Sequence, residues 1–199
     1  LFPRDLTRIR GTLQALLEAQ QSVEVLSEHN LTGRMAEYPL IVVAECDYLA
    51  PDFKKELVEY ARKGGNLLVM GRSAARLFSQ DLGVTLEDAA APAYLEQSGA
   101  MVAVKGSAQK MTLAAQARSF GRIHATNDLQ TPFQPAASIA QFGRGRIAAV
   151  YFDFSQGYLE NRSETSRDFL SALTCELFPK PMVEVRGSSD VDVSVNRIK

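Results

Sequence analysis

The chain has no tryptophan, and it has only two cysteines and two histidines among its 199 residues. Cys46 and Cys175 are far apart and fit neither a metal-ligand pair nor a redox CxxC motif. This composition excludes a disulfide framework and predicts no metal centre. No cofactor-binding motif is found, so no cofactor is predicted. We interpret both cysteines as buried free thiols, since free cysteine behaves as a small apolar residue.

The sequence also lacks an excess of charge and any long apolar run. Lysine and arginine total 22 against 23 aspartate and glutamate, giving a net charge of −1. No basic surface for nucleic acid is therefore predicted. The longest apolar stretches have the length of strands, so no membrane-spanning helix is predicted either. The 46 % hydrophobic and 23 % charged residues are typical of a globular domain.

The two ends of the sequence suggest a segment of a longer polypeptide. The chain begins at Leu1 without a methionine or an apolar signal region, and it stops within an alternating strand pattern over 191–199. We therefore leave the compartment open between cytoplasmic and exported, because targeting signals could lie outside these residues.

A strand–helix–strand unit is the clearest local pattern. The apolar run 40–44 is typical of a strand covered on both faces. Pro51 is suited to the first position of a helix, and Gly64-Gly65 to its end. Residues 67–70 form the next apolar run, which completes a right-handed βαβ crossover.

Similar reasoning predicts the remaining elements. Helices are expected at Asp5–Gln20, around 74–83 and over 163–178, with a short strand through Val23 and Val25, and a hairpin at Gly143–Gly145. The fold class is α/β: a three-layer, flavodoxin-like, mostly parallel sheet with helices on both faces, plus antiparallel strands near the C-terminus. We assign 1–182 to this domain, with an irregular insertion of short strands and loops at 89–135. Residues 183–199 are expected to form a β-hairpin that begins a following segment.

Two stretches carry a resemblance to a known family. "YPLIVVAECDYLAPDFKKELVEYARKGGNLLVMG" has an apolar strand, a helix ending in tyrosine and Gly-Gly, and a second apolar strand. It resembles class I glutamine-amidotransferase-like domains, and is most similar to the beta-galactosidase trimerisation domain of glycoside hydrolases. "QFGRGRIAAVYFDF" and the residues after it resemble the end of that domain. The likeness covers roughly residues 10–85 and 134–199.

The resemblance implies catalytic positions that this sequence does not fill. Active class I amidotransferases carry a nucleophilic cysteine directly after the second of these strands, and a histidine and glutamate on a later loop. The first position here reads Met70-Gly71-Arg72-Ser73, and the later loop reads Asp153-Phe154-Ser155. We therefore expect this segment not to be an enzyme, although the parent protein could be a glycoside hydrolase.

Two other residues were weighed as nucleophiles. Cys46 follows the first strand, one strand too early, and its neighbours Glu45 and Asp47 would raise the pKa of its thiol. Neither His29 nor His124 is tied to it by any pattern. Ser73 lies near the turn after the second strand, where we interpret it as a helix N-cap. No catalytic residue is predicted.

Acidic residues at strand ends define a candidate ligand rim. Glu45, Asp47 and Asp153 are expected at the carboxyl ends of strands, where open α/β sheets bind ligands, with Ser73 beside them. Paired carboxylates are also the groups used in glycoside hydrolysis. Acidic residues at strand ends are more often caps and solvated loop residues, which is the favoured interpretation of these acids.

These observations lead to two function hypotheses. The first is a non-catalytic accessory or oligomerisation domain of a larger glycoside-hydrolase-like protein, packed against a catalytic barrel or a neighbouring subunit. Its partners would be other domains of the same polypeptide and further copies of the chain, with contacts sought in 89–135. The second is a carbohydrate-binding or hydrolytic domain that uses the strand-end acids on a saccharide. A scaffold role in an unrelated envelope protein is kept because such frames are widely reused.

Overall fold

The structure, a computed structural model, describes residues 6–180 together with residues 183, 191 and 193, and only the backbone of residues 88–90. The hairpin predicted over 183–199 therefore lies outside the described residues, apart from three isolated positions. None of the helices among the described residues is long and apolar enough to cross a membrane.

The described residues contain the following helices and strands. The helices are α1 (Thr7–Glu18), α2 (Glu28–Leu31), α3 (Pro51–Arg62), α4 (Arg72–Leu77), α5 (Ser79–Leu82), α6 (Ser155–Asn161) and α7 (Glu164–Leu177), with a 3₁₀ turn at Met35–Glu37. The strands are β1 (Leu40–Val43), β2 (Asn66–Val69), β3 (Val84–Ala91), β4 (Tyr94–Gln97), β5 (Ala100–Ala103), β6 (Ala108–Leu113), β7 (Ala117–His124), β8 (Phe133–Phe142) and β9 (Gly145–Val150).

Seven of these strands form one sheet in the order β1-β2-β9-β8-β7-β4-β5. Strands β1, β2 and β9 are parallel neighbours, and each strand from β9 onward is antiparallel to the next. Strands β3 and β6 pair as a separate two-stranded sheet. The segment 89–135 thus supplies three strands of the main sheet, so antiparallel strands come from the middle of the chain as well as from its C-terminal part.

The core lies on both faces of the sheet, which confirms the predicted α/β class with helices on two sides. On one face, Leu16 of α1, Tyr158 of α6 and Leu170 of α7 pack against one set of sheet residues. On the other face, Leu57 of α3 and Ala75 of α4 pack against a second set. Successive residues of β2 point into opposite layers, since Leu67 and Val69 belong to one core and Leu68 to the other.

The βαβ prediction is confirmed to within one or two residues. Pro51 begins α3, and Gly64 has φ +120° directly after the helix. The tyrosine at the end of the helix has a structural role, since the Tyr60 hydroxyl donates to the carbonyl of Tyr38 at 2.9 Å. A Cβ at Gly65 would lie 2.1 Å from the Tyr60 ring, so the second glycine makes room for that ring.

The strand predicted through Val23 and Val25 is wrong. Residues 21–27 form no strand, and Val25 is 61 % exposed. Val23 packs against the core on the α1 face of the sheet and Leu26 against the core on the α3 face. Side chains that turn to opposite faces in this way fit a segment that passes around the β1 edge. Among the described residues, no ladder pairs this segment with β1.

Candidate functional site

The four predicted rim residues lie at one end of the parallel strands. Glu45 and Asp47 follow β1, Ser73 lies in the first turn of α4 after β2, and Asp153 follows β9. Because the carboxyl ends of parallel strands meet at the same edge, the three loops are neighbours. Arg8 of α1 joins them: its hydrogen bond to Asp47 raises the pKa of the guanidinium, and the negative charges of Asp47, Asp153 and Glu45 act in the same direction. We use the name strand-end rim for this group of six residues: Arg8, Glu45, Asp47, Arg72, Ser73 and Asp153.

The turn after β2 is sharp and closely packed. Gly71 has φ +88° and precedes the first residue of α4. A Cβ at this position would lie 2.6 Å from Cγ of Glu45, so the close approach of the two loops requires glycine. The N-cap of α4 is Gly71, and the prediction that Ser73 is the N-cap is wrong. The Ser73 hydroxyl instead hydrogen-bonds to the Asp47 carboxylate and helps to lower the pKa of that group.

Glu45 joins the first and third of these loops. Its Oε1 accepts hydrogen bonds from the backbone N–H groups of Phe154, at 2.6 Å, and Ser155, at 2.7 Å. Burial raises the pKa of the Glu45 carboxyl above its ordinary value, and the charge of Asp153 acts in the same direction. The two backbone N–H groups oppose this shift because they stabilise the carboxylate. Glu45 is therefore a structural acceptor at the start of α6.

The other two carboxylates have arginine partners. Asp47 Oδ2 lies 2.5 Å from Nη1 of Arg8, and that hydrogen bond is the main reason why the pKa of Asp47 is lowered. Asp153 Oδ2 lies 3.1 Å from Nη2 of Arg72. Both pairs are partly exposed, with Asp47 at 63 % and Asp153 at 37 % of the side chain. All three carboxylates already have partners, so the strand-end rim holds no unpaired acid for general acid–base work.

The sequence analysis missed the group that attaches α1 to this end of the sheet. The Ser155 hydroxyl is buried and donates to the carbonyl of Arg8 at 2.7 Å. It also lies 2.8 Å from the hydroxyl of Thr12 and accepts from the N–H of Thr12 at 3.2 Å. The one local signal was Gly11, a glycine inside a predicted helix, whose added Cβ would lie 2.0 Å from the carbonyl oxygen of Ser155.

The residues weighed as nucleophile and base do not form a catalytic pair. Burial and the charge of Asp47 raise the pKa of the Cys46 thiol to about 11, so almost no thiolate is present near neutral pH. His124 is buried in the antiparallel part of the sheet, where its Nε2 lies 2.9 Å from Oε2 of Glu96. His29 is exposed in α2. The expectation that both cysteines are buried is wrong for Cys175, which is exposed on α7, and Cys46 is half-buried.

No metal site is found in the part of the chain that the structure describes, since no group of three or more potential ligand side chains comes together there. One large aromatic side chain follows the rim residue Asp47 in the sequence: Tyr48 is 72 % exposed. The arrangement as a whole is a polar surface of two ion pairs, a hydroxyl and an aromatic ring. It lacks an activated nucleophile.

Comparison with known proteins places this fold among parts of glycoside hydrolases. No protein-family model matches the chain, and no curated protein resembles its sequence. A GH42 beta-galactosidase from G. stearothermophilus is 16 % identical with a TM-score of 0.67, and the match covers 92 % of this chain but 28 % of the enzyme. An exo-beta-1,4-mannosidase from Opitutaceae bacterium strain TAV5 is 19 % identical with a TM-score of 0.63, covering 86 % and 31 %.

The fold is also similar to a protein of comparable size. A cytoplasmic protein from Salmonella typhimurium LT2 is 14 % identical with a TM-score of 0.58, and the match covers 83 % of this chain and 85 % of that one. At these identities the likeness concerns the fold alone. This chain therefore has the fold of a segment that makes up less than a third of the glycoside hydrolases it matches.

Proposed function

We propose that this chain is a non-catalytic accessory domain of a larger glycoside-hydrolase-like protein, and that it packs against a catalytic domain or a neighbouring subunit. The observation that carries the proposal is the coverage: nearly the whole chain superposes on a minor part of several glycoside hydrolases, among them the beta-galactosidase and the mannosidase. The parent's catalytic acids would then lie outside these residues.

We also infer that the domain is an amidotransferase-like frame without its catalytic groups. Strand β2, the Gly71 turn and α4 supply the sharp strand-to-helix connection on which such enzymes carry their nucleophile. Arg72 occupies that turn here and pairs with Asp153 on the loop where the resemblance requires a histidine. An arginine–carboxylate pair therefore stands in place of a nucleophile and its base, and it joins the two loops by a direct contact.

This proposal predicts that the chain has no turnover of its own. The purified chain should release no ammonia from glutamine and should not cleave nitrophenyl galactosides, mannosides or fucosides above the buffer rate. Ser73→Ala and Cys46→Ala serve as paired variants, since these are the two residues that could be argued to attack a substrate. Turnover that either substitution abolishes would overturn the proposal.

A second function is favoured by one specific observation: Tyr48, the residue that follows Asp47, is 72 % exposed. Small-molecule sites combine aromatic side chains with a small number of placed polar or charged groups. In this alternative, a sugar ring would stack on Tyr48 and its hydroxyls would hydrogen-bond to Asp47 and Asp153.

Calorimetric titration tests the alternative. A panel of galactose, mannose, fucose and their disaccharides is titrated into the chain at high protein concentration. Saccharide binding would give saturable heat that Tyr48→Ala abolishes and that Asp47→Asn weakens about tenfold, as expected for the loss of a charged hydrogen-bond partner. The accessory-domain proposal predicts no heat beyond dilution for any of these sugars.

A further inference from the structure

The antiparallel part of the main sheet buries a histidine that the proposed function does not use. His124 is the last residue of β7, and its side chain is 1 % exposed. The ring of Phe133, its neighbour on β8, packs against it with the ring centres 6.0 Å apart. Helix α7 lies on the other face of the sheet, where Ile123 packs. A polar ring buried in this way needs a hydrogen-bond partner for each of its nitrogens.

Among the described residues, the groups that touch the ring nitrogens of His124 are all acceptors. Nε2 lies 2.9 Å from Oε2 of Glu96, and Nδ1 lies 3.1 Å from the carbonyl oxygen and 3.3 Å from the hydroxyl of Thr131. That hydroxyl already donates its hydrogen to the carbonyl of Asp128 at 2.7 Å. Two nitrogens that both face acceptors must both carry a hydrogen, and a ring with two N–H groups is an imidazolium cation.

The surrounding charges fit a cation at this position. The second carboxylate oxygen of Glu96 lies 3.5 Å from Nη1 of Arg122, whose side chain is 55 % exposed. Water therefore solvates much of the arginine charge, whereas the buried ring depends on the carboxylate. Two further titratable groups are near: Tyr94, directly across the β4–β7 ladder, and Asp128, which accepts a backbone N–H within the turn. A tyrosine is neutral and an aspartate negative near neutral pH, so neither repels a cation.

The same histidine joins the turn between β7 and β8 to the sheet. Residues 128–131 form a compact unit, in which both the N–H and the hydroxyl of Thr131 donate to the carbonyl of Asp128. The bond from Nδ1 of His124 connects this unit to the end of β7. Residues 127–130 of the turn form one side of an open cleft, and Gly99 and Met101 of the β4–β5 hairpin form the other. The position of the turn therefore determines the shape of the cleft.

The two hydrogen bonds of the ring respond differently when one proton is lost. A neutral ring keeps a single N–H group, and a hydrogen bond to a carboxylate is about twice as strong as one to a neutral acceptor. The remaining hydrogen therefore stays on Nε2, toward Glu96. The lone pair of Nδ1 then faces the carbonyl oxygen of Thr131, and two acceptors repel each other at 3.1 Å. The contact with the turn breaks, while the ring stays bonded to β4.

We propose that His124 is a buried imidazolium that holds the β7–β8 turn against the sheet, and that loss of its proton releases the turn. The proton itself makes the bond to Thr131, so the turn is held at low pH and released as pH rises. Release opens the cleft beside Gly99 and Met101. This pH-sensitive switch goes beyond the accessory role and does not depend on it, because the switch follows from contacts within the chain.

Nitrogen-15 NMR of the histidine rings tests the proposal with the 199-residue chain. The chain has two histidines, so the exposed His29 is an internal reference, and His29→Gln assigns the remaining ring signals to His124. At neutral pH, both ring nitrogens of His124 should carry a proton. At higher pH the ring should change to the form protonated on Nε2 alone. The backbone amide signals of residues 128–131 should change with the same midpoint.

Removal of the Glu96 charge tests why the ring is charged. Glu96→Gln keeps an oxygen acceptor for Nε2 but removes the negative charge, so it should lower the midpoint of the His124 titration by about 1–3 pH units. Glu176→Gln is the matched control, because Glu176 forms an exposed ion pair with Arg118 near the other end of β7. The control should leave the midpoint unchanged.

Tryptophan fluorescence follows the turn independently of NMR. The chain has no tryptophan, so Leu129→Trp places a single reporter in the turn, at a side chain that is 43 % exposed. Its emission should shift to longer wavelength as pH rises, with the midpoint of the His124 ring. Tyr48→Trp places the reporter after β1 instead, and its emission should show no transition at that midpoint.

Three outcomes would contradict the proposal. A His124 ring with a single proton at neutral pH would overturn the imidazolium. A ring that keeps both protons until the whole chain unfolds would overturn the switch, and so would turn signals that do not follow the titration of the ring. None of these results bears on the accessory role, which intrinsic hydrolase turnover would overturn whatever the state of His124.

Discussion

Replacing Gly11 by alanine should destabilise the protein by about 3 kcal/mol, although the same change favours an isolated helix by about 1 kcal/mol. The added methyl group would lie 2.0 Å from the carbonyl oxygen of Ser155 and 2.4 Å from its Cα. These are backbone atoms, so no side chain can rotate away, and α1 would have to move off the start of α6. The movement would also break the hydrogen bonds between Ser155 and Thr12.

The measurement is the thermal and denaturant unfolding of the variant. A loss of this size corresponds to a decrease in Tm of roughly 6–12 °C for a chain of this length. Gly157→Ala is the matched control, since Gly157 is also inside a helix but its added Cβ would meet only Lys105, at 3.3 Å. That control should stay within about 1 kcal/mol of the wild type. A Gly11→Ala protein as stable as the wild type would contradict the contact between α1 and α6.

Removal of the Glu45 carboxylate should have the second-largest effect. Glu45→Ala leaves the N–H groups of Phe154 and Ser155 without their acceptor, and the loss should be about 2–3 kcal/mol in the free energy of unfolding at neutral pH. Glu45→Gln keeps an oxygen acceptor and removes a charge that burial disfavours. It should therefore be close to the wild type in stability, or slightly above it.

The pH dependence of stability in Glu45→Gln and the wild type distinguishes a charge effect from a packing effect. The pKa of Glu45 is raised in the folded state, so the folded chain binds more protons and its stability falls as pH rises through that pKa. Glu45→Gln lacks this contribution, and its advantage over the wild type should grow as pH rises above about 4.5. Asp47 has the opposite sign because its pKa is lowered, but it is present in both proteins and cancels. If the stability difference between Glu45→Gln and the wild type does not vary with pH, the raised pKa of Glu45 in the folded state is contradicted.

Features of the fold that depend on nearby residues could be predicted from sequence. Strands β1 and β2 and helix α3 follow from apolar runs, Pro51 and Gly64-Gly65, and the hairpin between β8 and β9 follows from Gly143. Helix α6 could not be predicted, because no side chain of its own caps it. Its first amides bond to Glu45, which comes from another loop. The same reason explains the wrong strand at 21–27, because Val23 and Leu26 pack into the two cores on opposite faces of the sheet.

The strand-end rim was partly predictable in the same sense. Parallel strands have their carboxyl ends at one edge, and this predicts that four residues meet there: Glu45, Asp47, Ser73 and Asp153. The strand arrangement does not predict which arginines pair with the acids. Arg8 comes from α1, and Arg72 turns toward Asp153 from the second loop. These pairings depend on how α1 packs and on the Gly71 turn, and neither is encoded by the spacing of the acids.

The position of β9 in the sheet determines how late the domain can complete its folding during synthesis. Strand β2 pairs with β9 through Asn66 opposite Arg146, so its neighbour is made long after β2 itself. Until then the apolar residues Leu67, Leu68 and Val69 have one unpaired edge, and contacts so distant in sequence form slowly because a long loop must close first. A nascent chain in this state exposes apolar strand surface of the kind that chaperones bind. The ribosome must therefore pass residue 150 before β2 acquires its second neighbour in the sheet.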